Sequence, residues 1–142
     1  MRQNTKLYVL ILAIGLPVNF VCEYLHMPLF QVTFLRGYID SHLSLSALSA
    51  SLNMVWTYLI YALMRNSFGK TWTADWNLQK VMAVVGSGMV LVCIGERTAL
   101  SIGLWSYSVT MPVIPILGVG LTPFLIISTM PLVTMYLASR FA

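Results

Sequence analysis

The chain has 142 residues, of which 58% are apolar and 8% charged, with a net charge of +4 and a mean hydropathy of +0.83. Soluble domains carry about 25% charged residues, so a water-soluble fold would lack the polar surface to cover itself. The basic residues stand one or two at a time between apolar runs, the pattern of membrane topology signals and not of a nucleic-acid interface. The lipid bilayer is the expected partner, and no nucleic acid.

A helix crosses the hydrocarbon core with about 20 apolar residues, and four segments qualify in chain order. The basic start and apolar run of "MRQNTKLYVLILAIGL" have the outline of a signal peptide. No small-x-small cleavage site follows, and Asn19, Phe20 and Val21 do not suit a lipoprotein signal ahead of Cys22, so the segment reads as a retained first span over residues 7–29. The second span covers 43–64, where "SLSALSASLNM" sets Ser46 with Ala50 and Ala47 with Ser51 at four-residue spacing as candidate helix seams. The loop "RNSFGKTWTADWNLQK" follows, with Trp72 and Trp76 spaced as an interfacial anchor. A third span covers 81–100, with Ala83 and Ser87 as a further seam. The fourth covers roughly 113–138, but Pro112, Pro115, Pro123 and Pro131 punctuate it; its first part is either re-entrant or extended, with the helix then beginning near Leu121.

Orientation follows from the basic residues. Arg2, Lys6, Arg65, Lys70, Lys80 and Arg140 fall on one side and Arg36 and Arg97 on the other, which puts both termini in the cytoplasm. The expected fold is all-α: one transmembrane domain over residues 1–142, a multi-pass four-helix bundle of the inner (cytoplasmic) membrane, with a Pro/Gly-rich outer loop before the last helix.

The feature that asks for a function is a pair of glutamates. Glu23 lies 17 residues beyond Lys6 and Glu96 lies 16 beyond Lys80, so both stand roughly 25 Å above their basic anchors in the same outer layer. Counting back from Arg65 and Arg140, that layer also holds Leu48 and Ser49, and Thr122 and Pro123. Asn19, Glu23 and His26, at i, i+4 and i+7, form one helix stripe. An isolated ionisable group in lipid costs about 2.5–3.5 kcal/mol even on insertion scales, so the stripe turns inward. The expected site is a polar pocket of Asn19, Glu23, His26, His42, Ser49 and Glu96. The segment "GLWSYSVTMPVIPILGVGLTP" either covers it as a lid, with Trp105 and Tyr107 as walls, or is a plain loop with those rings at the interface. Two structural readings compete with the pocket: Arg97 pairs with one glutamate as a bridge, or the polar groups simply meet interfacial water. Carboxylates and histidines suit metals, but the spacing matches no ligand motif, and no metal or cofactor is expected. Cys22 and Cys93 are either small buried residues or one disulfide.

At these residues a resemblance appears. "NFVCEYLHMPLF" together with "GERTALSIGLWSYSVTMPVIPILGVGLTP" resembles a family of small bacterial four-helix membrane proteins in which a helix carries Asn-x-x-x-Glu and a later segment carries Glu, Trp-x-Tyr and Met-Pro. More distantly, Asn-x-x-x-Glu is similar to the motif of membrane-embedded terpene cyclases. The acidic residue before Trp-x-aromatic is similar to membrane lycopene cyclases and carotenoid hydratases, although their Pro-Glu-Glu element is absent. The distant resemblance implies protonation-initiated chemistry on an isoprenoid chain, with Glu23 and Glu96 as the catalytic acids; the pocket and lid read above then put Asn19, His26, His42, Ser49, Trp105 and Tyr107 around the substrate.

No phosphate-cradling loop, Cys-x-x-Cys pair, metalloprotease helix or nucleophile elbow occurs in the sequence, which removes support for kinase, redox and hydrolase classes. Three classes remain. The first is an isoprenoid- or lipid-modifying enzyme using glutamate acid/base chemistry on a hydrophobic small molecule. The second is a non-catalytic accessory subunit of a larger membrane complex, or a small-ligand binder. The third is a small carrier, which would act as a homo-oligomer.

Overall fold

The computed structural model describes residues 2–32 and 41–142, with side chains from residue 5 onward. Arg36 and the side chain of Arg2, both used above for orientation, lie outside the described residues. Four helices are long and apolar enough to cross a membrane: α1 Arg2–His26, α2 His42–Phe68, α3 Leu78–Ser101 and α4 Leu121–Phe141. Two two-stranded antiparallel sheets, which an all-α reading leaves out, pair β1 Phe30–Val32 with β2 Trp105–Tyr107 and β3 Val113–Ile114 with β4 Val119–Gly120.

Local chemistry sets the helix ends. Ser41 caps α2 by accepting from Ser44 N at 3.0 Å, and Asn77 caps α3 by accepting from Lys80 N at 3.0 Å. The last turn of α3 closes with Leu104 N donating to Ala99 O (2.9 Å) and Gly103 N to Leu100 O (3.2 Å). Gly103 sits there at φ +71, a left-handed conformation that costs glycine nothing. The expected fourth span therefore starts late. Residues 113–120 form the β3–β4 hairpin, turned at Gly118 (φ +65), and α4 begins only at Leu121. Pro123 falls in the first turn of α4, where its missing N–H has no helical partner to lose.

Successive helices run antiparallel. Arg65 Nη1 donates to Tyr8 OH (3.0 Å) and Trp76 Nε1 to Ser139 Oγ (3.1 Å), so the start of α1, the end of α2, the start of α3 and the end of α4 share one end of the bundle. This terminal end is solid. Tyr8, Tyr61, Trp72, Trp76 and Tyr136 form a chain of ring contacts at 5.0–5.9 Å. Trp72, expected as an interfacial anchor, is instead 2% exposed within the core. The chain turns sharply at Gly69 (φ +88) and enters a single 3-10 turn, Trp72–Ala74, which folds the indole back under Tyr61.

Of the expected seams, Ser46 and Ala50 are fully buried, while Ala47 and Ser51 are exposed. On α3 the close approach is at Gly88 and not at the half-buried Ala83 and Ser87. A Cβ on Gly88 would stand 2.7 Å from Ile127 O and from Ser128 Cα of α4. Pro131 has no N–H to give the Ile127 carbonyl four residues earlier, so α3 presses a side-chain-free surface onto a carbonyl released from its own helix. Gly15 plays the same part in α1, where a Cβ would meet Met54 of α2 and Thr134 of α4 at 2.7 Å.

Gly88→Ala should therefore push α3 from α4 and lower stability by about 1–3 kcal/mol. Gly86→Ala, with nothing within 4 Å of its added carbon, should leave stability unchanged or raise it by up to about 1 kcal/mol through helix propensity. Denaturant titration of both variants in detergent tests the pair. Equal midpoints for the two would show that the Gly88 contact does not hold the helices.

Candidate functional site

At the opposite end the four helices enclose a cavity of about 460 Å³. Both glutamates line it, and each is 6% exposed. Its walls are otherwise largely apolar, with Leu91, Val92 and Ala99 from α3 and Ile127 from α4, and Ser49 and Pro123 complete the layer counted from the sequence.

Glu23 comes from the last turn of α1. Its Oε1 accepts from Asn53 Nδ2 of α2 at 2.6 Å. Its Oε2 lies 3.6 Å from His26 Nε2. His26 Nδ1 is 2.8 Å from Cys22 O, and a carbonyl only accepts, so that nitrogen carries a hydrogen. The other ring nitrogen, Nε2, is the one that faces Glu23.

Glu96 is served from the other side. Tyr107 OH donates to its Oε2 at 2.5 Å and Trp105 Nε1 approaches the same oxygen at 3.4 Å. Tyr107 in turn accepts from Gly120 N at 2.9 Å, which fixes the phenol between α3 and the start of α4. Burial, and then its hydrogen bond to Glu96, hold the Tyr107 hydroxyl well above the usual tyrosine range, so it stays a donor. Among the described residues no donor reaches Glu96 Oε1.

The Trp-x-Tyr spacing works because the segment is a strand. Phe30 pairs with Tyr107 and Val32 with Trp105, and alternation turns these four side chains inward while Gln31 and Ser106 face out. The ring of Phe30 then bridges the two halves of the site, 5.3 Å from His26, 6.1 Å from Trp105 and 5.6 Å from Tyr107.

Of the expected residues, the structure brings Glu23, His26, Ser49, Glu96 and Trp105 to the cavity wall, with Tyr107 behind Glu96. Asn19 and His42 do not line it. Asn19 is buried one turn below, where its Nδ2 donates to Gly15 O at 2.8 Å. His42 is exposed on the outside, stacked on Tyr24 at 4.4 Å with Nε2 against Tyr24 O at 2.8 Å. Arg97 makes no bridge to either glutamate; its Nη1 donates to Leu117 O of the hairpin at 3.2 Å. Cys22 and Cys93 are free thiols. Among the described residues no three His, Cys, Asp or Glu side chains converge on a possible metal position. The sequence reading missed Asn53, Phe30 and Trp56, all of which line the cavity.

The chain matches no family model, no curated protein sequence and no solved structure.

Tyr107→Phe removes the donor to Glu96 and leaves Gly120 N–H without its acceptor. A loss of about 1–3 kcal/mol is expected. In a Glu96→Gln background the cost should differ from that in the parent by about 0.5 kcal/mol or more, since both groups belong to one network. A double-mutant cycle on thermal unfolding in detergent measures that coupling, and strict additivity would show that the two groups act separately.

Proposed function

We propose that the chain is a multi-pass protein of the inner (cytoplasmic) membrane with both termini in the cytoplasm, and that it is an enzyme acting on an isoprenoid-like or lipid substrate by glutamate acid/base chemistry. Lys6, Arg65, Lys70, Lys80 and Arg140 at the terminal end against Arg97 at the cavity end support the orientation. The observation that carries the functional reading is the pair of buried carboxyl groups on one apolar cavity, each with different directed partners. A cavity of 460 Å³ falls within the roughly 300–1,000 Å³ of small-molecule sites.

The partners suggest a division of labour. Glu23, facing Nε2 of His26, holds a transferable proton and serves as the general acid. Glu96, with two donors on one oxygen, serves as the base. In such a reaction the Glu23 proton passes to an alkene carbon, the π electrons form the new C–H bond, and positive charge appears on the neighbouring carbon. The ring faces of Phe30, Trp56 and Trp105 stabilise that charge. Attack by a second alkene closes a ring and moves the charge to that alkene's other carbon, and Glu96 removes a proton from the carbon beside it to restore a double bond; with water as the nucleophile, Glu96 takes the proton that the attacking water loses and the product is an alcohol. No net oxidation occurs. The proton taken by Glu96 must return to Glu23, and His26 stands beside Glu23 to relay it.

The bland alternatives have less behind them. A bridge-and-filled-core accessory protein would pair Arg97 with a glutamate, and Arg97 bonds elsewhere. A carrier needs a polar path through the bundle, but beyond Gly15 and Thr134 the interior is Ile11, Ile60, Met135 and the aromatic cluster.

The deciding experiment compares the parent with Glu23→Gln and Glu96→Gln in a host making polyprenyl and carotenoid precursors, with lipid extracts profiled by mass spectrometry. Conversion of a precursor by the parent, falling by about 10²–10⁴-fold in either inserted and folded variant, is the expected outcome for acid/base groups. Identical extracts from all three, with a lower unfolding temperature in the variants, would make the glutamates structural and the cavity a ligand site at most.

A further inference from the structure

The cavity does not end at the protein's interior. Several of its wall residues also belong to the outer surface: Leu52 of α2 is 51% exposed, Ile94 of α3 is 61% exposed, and Ile102, which caps the end of α3, is 64% exposed. Ile94, Thr98 and Ile102 follow one another at four-residue spacing, so they form a single stripe along α3 and its C-cap. All three line the cavity and all three are exposed. The gap between α2 and α3 is therefore a side opening at the depth of the glutamates, and its rim is the same apolar surface that a bilayer would cover.

The lower edge of the gap is built from a glycine and a tryptophan. Gly95 and Trp56 both line the cavity, and a Cβ on Gly95 would meet only Trp56 Cζ2, at 3.9 Å. This differs from Gly88, where the missing side chain is replaced by the backbone of α4. At Gly95 the space belongs to the opening. Any long side chain there would fill the gap opposite Trp56.

We infer that the α2–α3 gap is a lateral portal for a long-chain isoprenoid amphiphile, whose reactive segment lies at Glu23 and Glu96 while the rest of its chain passes between Trp56 and Gly95 into the surrounding lipid. This inference rests on the membrane and acid-site readings above for the identity of the occupant. Two features favour an isoprenoid over a saturated acyl chain. The acids and ring faces around the inner end of the portal suit an alkene that accepts a proton, and a saturated chain offers them nothing. A mostly apolar rim of Leu, Ile and Trp, with Thr98 its one hydroxyl and no charged group, takes a chain and excludes a soluble polar substrate. The portal also explains how a cavity with a solid terminal end can be filled without crossing the aromatic cluster beneath it.

The test is photolabelling, which needs no turnover. The purified full chain in lipid nanodiscs is irradiated with geranylgeraniol carrying a diazirine at its distal end, and adducts are mapped by mass spectrometry. Labelling is expected to concentrate at Leu52, Trp56 and Ile94, above equally exposed apolar positions such as Val9 and Leu125, and to be competed by unlabelled geranylgeraniol but not by stearyl alcohol. Gly95→Phe should lower the labelling by about tenfold or more, while Gly86→Phe, in open space on the same helix, should not. Should Gly95→Phe fail to fold, Leu52→Trp closes the gap from the α2 side. Adducts spread evenly over the exposed faces of all four helices, or labelling untouched by a folded Gly95→Phe, would overturn the portal, and equal competition by stearyl alcohol would overturn the isoprenoid assignment. The Glu23→Gln/Glu96→Gln double variant separates the two readings: localised labelling that survives in it upholds the portal even where no conversion is found.

Discussion

Two carboxyl groups held out of water inside an apolar bundle are the constraint on which the cavity end is built. Desolvating such a group without partners costs several kcal/mol, and no single helix can supply those partners to its own glutamate. Glu23 takes its donor from α2, through Asn53, and Glu96 takes its donors from the strand that follows α3, through Tyr107 and Trp105. The irregular chain after α3 is explained by this need. A straight loop into α4 would leave Glu96 unserved, whereas pairing β2 with β1 brings two ring donors inward at once and ties the end of α1 to them. Tyr107 then passes the constraint on by accepting from Gly120 where α4 begins. Satisfying two acids thus fixes how all four helices meet.

A bundle that keeps a hollow end must hold its other end together more firmly. On the membrane reading proposed above, lipid offers helices no hydrophobic reason to associate, so close backbone approach and side-chain interlocking do that work. Gly15 lets α1 settle between Met54 and Thr134, and Gly88 lets α3 reach the carbonyl that Pro131 leaves free on α4. The tryptophan turn seals the terminal end with rings instead of aliphatic side chains. These contacts all lie on the terminal side of the glutamate layer.

Most of the architecture was legible because four apolar runs of membrane length, separated by basic residues and, before the last, by prolines, say where the helices lie. Proline and glycine spacing even pointed to Leu121 as the start of the last helix. Side-chain partners were harder to read, and Asn53 shows why. Depth counting matched Cα positions and so paired Glu23 with Leu48 and Ser49. Side chains on a helix lean toward its own N-terminus, and α1 and α2 run in opposite directions. Glu23 therefore leans toward the terminal end and Asn53 toward the cavity end, and they meet about one turn away from the level that Cα counting selects. Trp72 was misread for a different reason: two tryptophans four apart in a polar loop carry the same pattern whether the loop lies on an interface or folds back into the core. Only Tyr61 and Gly69, acting together, decide it.

The same leaning accounts for the inequality between the two acids. Glu23 and Glu96 sit on parallel helices and point the same way, so symmetry alone would give them like surroundings. The end of α1 continues into a 3-10 turn that leaves His26 beside Glu23, with Cys22 O holding its other nitrogen. The end of α3 closes on Gly103 and reverses into β2, which brings donors and no base. One carboxyl group consequently faces an imidazole nitrogen and the other faces hydroxyl and indole hydrogens. On the proposed reading that difference, set by how two helices terminate, assigns the acid and the base; without it the bundle would hold two equivalent carboxyl groups and no direction for a proton to travel.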